Sequence, residues 1–370
     1  MIIREIQQIL ESWAPKEIAW EQDNVGLQIG SPDRRVRAVL VALDVTRDVV
    51  NEARRKKIDL LISHHPLFFR PLRSVRDDDK VGHLVIELAR HDIALYSAHT
   101  NLDFVRTGVS AALAERLGLV NLRVLSRQSN MYKKVAVFVP AQHAEKVMRA
   151  MAEAGAGRIG NYDACSFQTE GRGTFRGMKS ATPYVGKRGV LERVPEIRLE
   201  MLVPVWNLSG VLAAMRTVHP YEEVAYDVYD LANESQDYGA GIIGDVRPAV
   251  TLRIFLSRIR RTLRVPSLRY TGNLRRKVER VAVCGGSGSD LMPLALRESA
   301  DAFVTADVKY HAFGEAEGAI ALIDAGHFET EVPVVRRVAD YLKNEIAQRK
   351  QTVRVFVSQQ SRNPVQYYFS

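Results

Sequence analysis

Residues 58–69 read IDLLISHHPLFF. Residues 58–62 form a short, mostly apolar run, the pattern of a strand, and it passes directly into Ser63-His64-His65-Pro66. Upstream, VRAVLVAL at 36–43 is apolar throughout except for Arg37, as expected of a strand buried on both faces. A polar helix is expected at 48–56. Downstream, 82–89 reads as a helix. Residues 93–97 read as a strand leading into His99-Thr100-Asn101-Leu102-Asp103, and 109–117 as a helix closed by Gly118. Residues 3–13 have helical spacing of their apolar side chains. This alternation predicts a mainly parallel sheet.

The texture changes near Tyr132. Residues 134–140 read as a strand and 144–154 as a helix, followed by the break Gly155-Ala156-Gly157 and a Gly-rich stretch with Gly171, Gly173, Gly177, Gly186 and Gly189. EIRLEMLV at 196–203 alternates polar and apolar residues, the mark of a half-exposed strand. A helix at 208–218 and a strand at 224–228 complete a split β-α-β unit of ferredoxin-like type. The first texture then returns. Strands at 278–283, 302–305 and 319–323 each end in a polar loop, a long helix covers 329–346, and a closing strand covers 353–357. The simplest architecture is one α/β domain made from both chain ends, residues 1–127 and 236–370, with a ferredoxin-like α+β domain inserted at 128–235.

The ends of the strands carry the chemistry. His64 and His65 follow one strand, His99 and Asp103 another, His327 and Glu331 a third. In open α/β sheets, ligands gather at the carboxyl ends of strands. Imidazole and carboxylate suit zinc, iron, manganese or nickel. His64, His65, Asp103, His327 and Glu331 exceed the need of one tetrahedral ion and fit two divalent ions sharing a carboxylate, typically about 3.5–4 Å apart. Successive side chains diverge at a strand end, so the two adjacent histidines can reach different ions. His327 and Glu331, four apart at a helix start, share a face.

Other loops have two readings each. CGGSGS at 284–289 follows a strand and opens a helix, so Gly286 and Ser287 can present amides to a phosphate or merely form a tight turn. No GK[ST] follows, which excludes a P-loop. Asp307, Tyr310 and His311 can bind substrate, orient ligands or cap a helix. Trp20 to Gln28 is a loop rich in turn residues. Its Asp23 and Gln28 can face the same pocket or simply cap and turn.

Bulk properties set bounds. The 370 residues are 46% hydrophobic and 26% charged, enough for more than one core. The net charge is +9, but the basic residues fall in short runs such as 54–57 and 258–261, the pattern of solvated faces. Nucleic acid is therefore not the expected partner. Cys165 and Cys284 fit no zinc spacing and read as thiols in a reducing compartment. No early apolar segment follows Met1 and no run of 18 apolar residues exists, so a cytoplasmic protein without a membrane span is expected.

Taken in order, WEQDNVGLQIG at 20–30, SHHPLFF at 63–69, HTNLD at 99–103, CGGSGSD at 284–290, TADVKYH at 305–311 and GHFETE at 326–331 resemble the NIF-three-like family, the GTP cyclohydrolase 1 type 2 homologs. The match spans nearly the whole chain, departing at Ala306, where a glycine is usual. The resemblance implies a dinuclear centre on the five residues above, with Glu331 as the bridge and His99 as an outer or substrate-facing group. GAGRIGNYDACSF at 155–167 and HPYEEVAYDV at 219–228 resemble the long members of the family, whose insert is similar to PII and CutA proteins, and imply a toroidal homohexamer. The activity implied is a metal-dependent hydrolase acting on a nucleotide or other phosphorylated small molecule. His99 or Tyr310 would move the proton, and Asp23, Gln28, Gly286, Ser287 and His311 would contact the substrate. The alternative is a non-catalytic scaffold for metal trafficking or sensing.

Overall fold

The computed structural model describes residues 1–368. The chain divides into two compact units, one of Met1–Arg127 with Gln236–Ser370 and one of Gln128–Ser235.

The first unit contains two sheets where one texture had suggested one. Its first sheet has the order Gly26–Ile29, Ala94–Ser97, Leu60–Ser63, Ala38–Ala42, Arg354–Val357. The last four run parallel, and Gly26–Ile29 is an antiparallel edge. The three central strands are buried along their full length. That is why they read as unbroken apolar runs: helices cover both faces of a parallel sheet. Two flanking helices are capped by side chains. Thr46 accepts from Val49 N ahead of Arg47–Arg55, and Asp79 accepts from Gly82 N ahead of Lys80–Arg90. Each bond satisfies an amide that the first turn leaves open.

The second sheet has the order Arg269–Tyr270, Ala321–Asp324, Ala302–Ala306, Lys277–Ser287, Gly239–Thr251, Val120–Arg127. Its middle three strands are parallel and its flanks antiparallel. The strands Val120–Arg127 and Gly239–Thr251 and the helix Leu252–Leu263 have no counterpart among the elements expected from sequence. The helix nevertheless has a clear apolar face, Leu252, Phe255, Leu256, Ile259 and Leu263. The expected 329–346 helix is two pieces, His327–Glu331 and then Pro333–Gln348. Pro333 starts the second piece, in a first turn whose N–H groups have no intrahelical partner to lose. Pro333–Gln348 packs on Ala38–Ala42 and Arg354–Val357, and Val109–Arg116 packs on Lys277–Ser287.

The second unit has the order Ser166–Arg176, Leu191–Pro204, Tyr132–Pro140, Tyr226–Asp230, antiparallel throughout. The helices Ala144–Glu153 and Leu208–Val218 connect these strands, which gives the ferredoxin-like order of the split β-α-β unit. Val135, Val137, Val139, Val147, Met151, Leu199, Met201, Val211 and Met215 form its core. The Gly-rich stretch contributes a strand, Ser166–Arg176, almost wholly exposed.

No helix among the described residues is long and apolar enough to cross a membrane.

Candidate metal centre

Both sheets of the first unit deliver their strand ends to one place. His64 follows Leu60–Ser63, Asp103 ends the short helix Thr100–Asp103 after Ala94–Ser97, and His327–Glu331 follows Ala321–Asp324. The rings of His64 and His65 lie 5.1 Å apart, those of His65 and His99 5.6 Å, and those of His65 and His327 5.5 Å.

Four imidazoles are anchored in the same way. His64 Nδ1 donates to the Ala98 carbonyl at 2.8 Å. His65 Nδ1 donates to Asp44 Oδ1 at 2.7 Å, and His327 Nδ1 to Asp307 Oδ2 at 2.6 Å. His99 Nδ1 donates to Asp23 Oδ1 at 2.9 Å. Ligating histidines are characteristically held through the ring nitrogen that does not face the ion. Here the Nε2 atoms of His64, His65 and His327 are left to meet the buried carboxylate of Glu331, whose two oxygens have different neighbours. Oε2 lies 2.9 Å from His65 Nε2 and 3.1 Å from His327 Nε2. Oε1 lies 3.9 Å from His64 Nε2, which is itself 3.6 Å from Asp103 Oδ1.

The buried groups leave a place for a cation, which would replace the protons held on His65 and His327. His64 is 3% exposed, and burial pushes its pKa down to about 3. With Nδ1–H spent on Ala98, the lone pair sits on Nε2. His64 Nε2 and Asp103 Oδ1 are both buried and have no hydrogen-bond partner among the described residues. Burial and the nearby Glu331 charge raise the Asp103 pKa well above the ordinary carboxylate range. Unpartnered buried polar atoms are costly, and a positive ion between them would satisfy both. Burial alone would lower His65, but Asp44 and Glu331 outweigh it and hold its pKa near about 10. The Glu331 bond, against burial and with help from Asp307, raises His327 to about 9. Burial would raise Glu331, yet the His327 and His65 bonds hold it well below its usual range. The donor set therefore fits a divalent metal. Among the described residues, two sets of three residues each bring their ligand atoms within 4.8 Å of one another, His64 with His65 and His99, and His65 with His327 and Glu331.

The remaining expected residues divide. Burial opposes the ionisation of Asp23, but bonds from His99 and Thr100 hold its carboxyl well below the usual range. Asp23 thus sets the His99 ring. Gln28 turns away: its Oε1 accepts from Leu67 N at 3.0 Å and its Nε2 donates to Asn24 O at 2.9 Å. It braces the loop after His65, and its stretch is partly the edge strand Gly26–Ile29 rather than loop alone. The amides of the Gly-rich turn are already engaged. Gly285 N donates to Ser110 Oγ, Gly286 N to Thr330 Oγ1 and Gly288 N to Thr305 Oγ1. This corrects the phosphate-cradle reading of Gly286. Its role is spatial: at φ +64° it faces Glu331, and a Cβ there would lie 2.2 Å from Glu331 Oε1. Ser287 Oγ donates to Asp307 instead of facing a substrate. Tyr310 is 84% exposed at the start of Tyr310–Ala316, and its ring stacks edgewise on His311. Among the described residues, neither hydrogen-bonds to the cluster.

Asp44 is the residue that the sequence reading missed. It directly follows the strand Ala38–Ala42 and Leu43, so the strand-end rule that selected the histidines applied to it equally.

The Duf34/NIF3 (NGG1p interacting factor 3) pattern matches residues 1–364. The chain belongs to this family. Relatives named GTP cyclohydrolase 1 type 2 homolog include one from Halalkalibacterium halodurans, 39% identical, covering 96% of each chain. One from Bacillus subtilis is 38% identical, covering 98% of this chain and 97% of the relative. Among solved structures, a Bacillus cereus protein related to NIF3 aligns with a TM-score of 0.87 at 40% identity, covering 100% of this chain and 99% of that one. A NIF3 fold with several sheets and a His/Glu cluster able to hold metal is therefore established for this sequence.

Proposed function

We propose that this NIF3 protein holds two divalent ions, zinc, iron, manganese or nickel, and acts as a metal-dependent hydrolase. The observation that carries the proposal is the split environment of Glu331, with His64 and Asp103 toward Oε1 and His65 and His327 toward Oε2. His64, Asp103 and Glu331 Oε1 would hold one ion, and His65, His327 and Glu331 Oε2 the other. Bound there, the ions supply Lewis acidity to a scissile bond and to water. The chain's own residues supply the rest. Asp23, Asp44, Asp307 and the Ala98 carbonyl keep four imidazoles oriented, and His99, tied by Nδ1 to Asp23, can exchange a proton through Nε2. The names of the relatives support a purine nucleotide as substrate.

A second reading, a metal-trafficking or sensing scaffold, is favoured by His99 itself. Its ligand atom lies close enough to those of His64 and His65 to complete a ligand set, and a saturated set leaves no open position for water. The family's toroidal homohexamer, with a PII/CutA-like insert and a cytoplasmic setting, belongs to the same proposal and is tested by sedimentation and fractionation.

Metal analysis of purified wild type and His65→Ala, followed by a hydrolysis screen that includes GTP and simple phosphoesters, decides between the readings. Two ions per wild-type chain, loss of most metal in the folded variant, and metal-dependent turnover support the hydrolase. Full loading with no turnover of any substrate supports the scaffold. One ion or none sinks the dinuclear centre.

A further inference from the structure

The second unit contains a cavity of about 530 Å³, a volume that suits a small organic ligand. Glu196, on Leu191–Pro204, lines it and is only 9% exposed. One of its oxygens accepts from the Tyr221 hydroxyl at 2.9 Å. No Lys, Arg or His among the described residues forms an ion pair with it. Arg198, two residues along the same strand, bonds Glu200 at 2.9 Å instead, and burial drives neighbouring His219 toward its neutral form. A Cβ on Gly173 would lie 2.0 Å from Glu196 Oε2, so this glycine leaves the space that the carboxylate occupies. The Gly-rich stretch thereby gains a reason for its composition.

Aromatic rings stand beside that carboxylate. The Tyr221 ring lies 6.2 Å from Phe175 and 6.1 Å from Tyr184, and all three line the cavity. A buried acid without a cation is costly, and aromatic rings beside one make the usual seat of an alkylammonium group. The exposed arginines that line the cavity, Arg172, Arg176 and Arg198, are matched by the exposed acids Glu170, Glu222 and Glu223. The exposed lining therefore selects no sign of charge, and Glu196 does.

The geometry points to a binding site for a small organic cation, a substituted ammonium or amidinium, seated against Glu196 among Phe175, Tyr184 and Tyr221. The site is independent of the metal chemistry. The test is calorimetric titration of the full-length chain with benzyltrimethylammonium, choline, the neutral choline isostere 3,3-dimethylbutan-1-ol, and benzoate. At least one cation saturates a single site per chain, the neutral isostere binds at least about tenfold more weakly, and benzoate does not bind. Glu196→Gln weakens the cation at least about tenfold and leaves the neutral isostere unchanged. Gly173→Ala, which displaces the carboxylate without removing it, weakens the cation likewise. Tyr221→Phe keeps the ring and stays within about threefold of wild type. The assignment is overturned if neither cation saturates at millimolar concentration, if the neutral or anionic probe binds wild type as well as its cationic counterpart, or if folded Glu196→Gln binds the cations unchanged.

Discussion

Asp44 holds His65 through Nδ1 and is not among the proposed ligands, so it separates orientation from ligation. Asp44→Asn keeps the shape and removes the charge that fixes the Nδ1–H of His65. Metal affinity should fall roughly 10- to 100-fold with the far-ultraviolet dichroism unchanged, as read by competition with a chelator. An unchanged affinity would mean that His65 needs no outer partner. The protons tell a related story. With pKa values near about 10 and about 9, His65 and His327 are both charged at neutral pH in the metal-free chain. Those values lie above the free imidazole value of about 6.5. The two groups therefore stabilise the metal-free fold fully below that pH, and the contribution is lost as pH rises through about 9 and about 10. An incoming cation must displace these protons. Loading should release at least about two protons per chain, from His65 and His327 and in part from Asp103, and the apparent affinity should weaken as pH falls. Calorimetry in buffers of different ionisation enthalpy measures the release, and a loading curve flat from pH 8 to pH 6 would contradict it.

At the scale of elements, strand ends place the ligands, so strand packing governs the site. Leu61 is fully buried in the strand that delivers His64 and His65. Ser63 Oγ, two residues on, lies 2.9 Å from Ser97 Oγ of the neighbouring strand. Leu61→Ala should cost about 2–5 kcal/mol, measured by urea denaturation of the metal-free protein, and excess metal should recover part of the loss by mass action. A loss that metal does not lessen would uncouple the strand from the site. Elements differed in how plainly they could be read. The central parallel strands announced themselves because both faces are buried. Ser166–Arg176 did not, since its side chains are exposed and two glycines interrupt its pattern. Gly26–Ile29 is an edge of four residues set among turn formers. Gly239–Thr251 carries three glycines and a proline, which mask its period.

At the scale of the molecule, all five proposed ligands and their orienting partners belong to the first unit. The strands on either side of the second unit are hydrogen-bonded neighbours, with Gly239 opposite Arg127. A short turn replacing residues 128–235 should therefore leave the metal content per chain unaltered, as measured by elemental analysis of the shortened protein. Loss of metal from a folded product would show that the centre depends on the insert.

His64, His65, Asp103, His327 and Glu331 could be named from the chain alone because strand ends, residue chemistry and an ordered set of family motifs all select them. Those signals are local in sequence, as are the apolar runs that mark the buried strands and the texture change that marks the insert. Asp44 beneath His65, the division of Glu331 between two neighbourhoods, the spent amides around Gly286 and the acid lodged behind Gly173 came only with the tertiary structure. Each depends on which atoms of distant segments come within hydrogen-bond or contact range, and that distance is set by how two sheets and their helices pack, a property that no window of sequence contains.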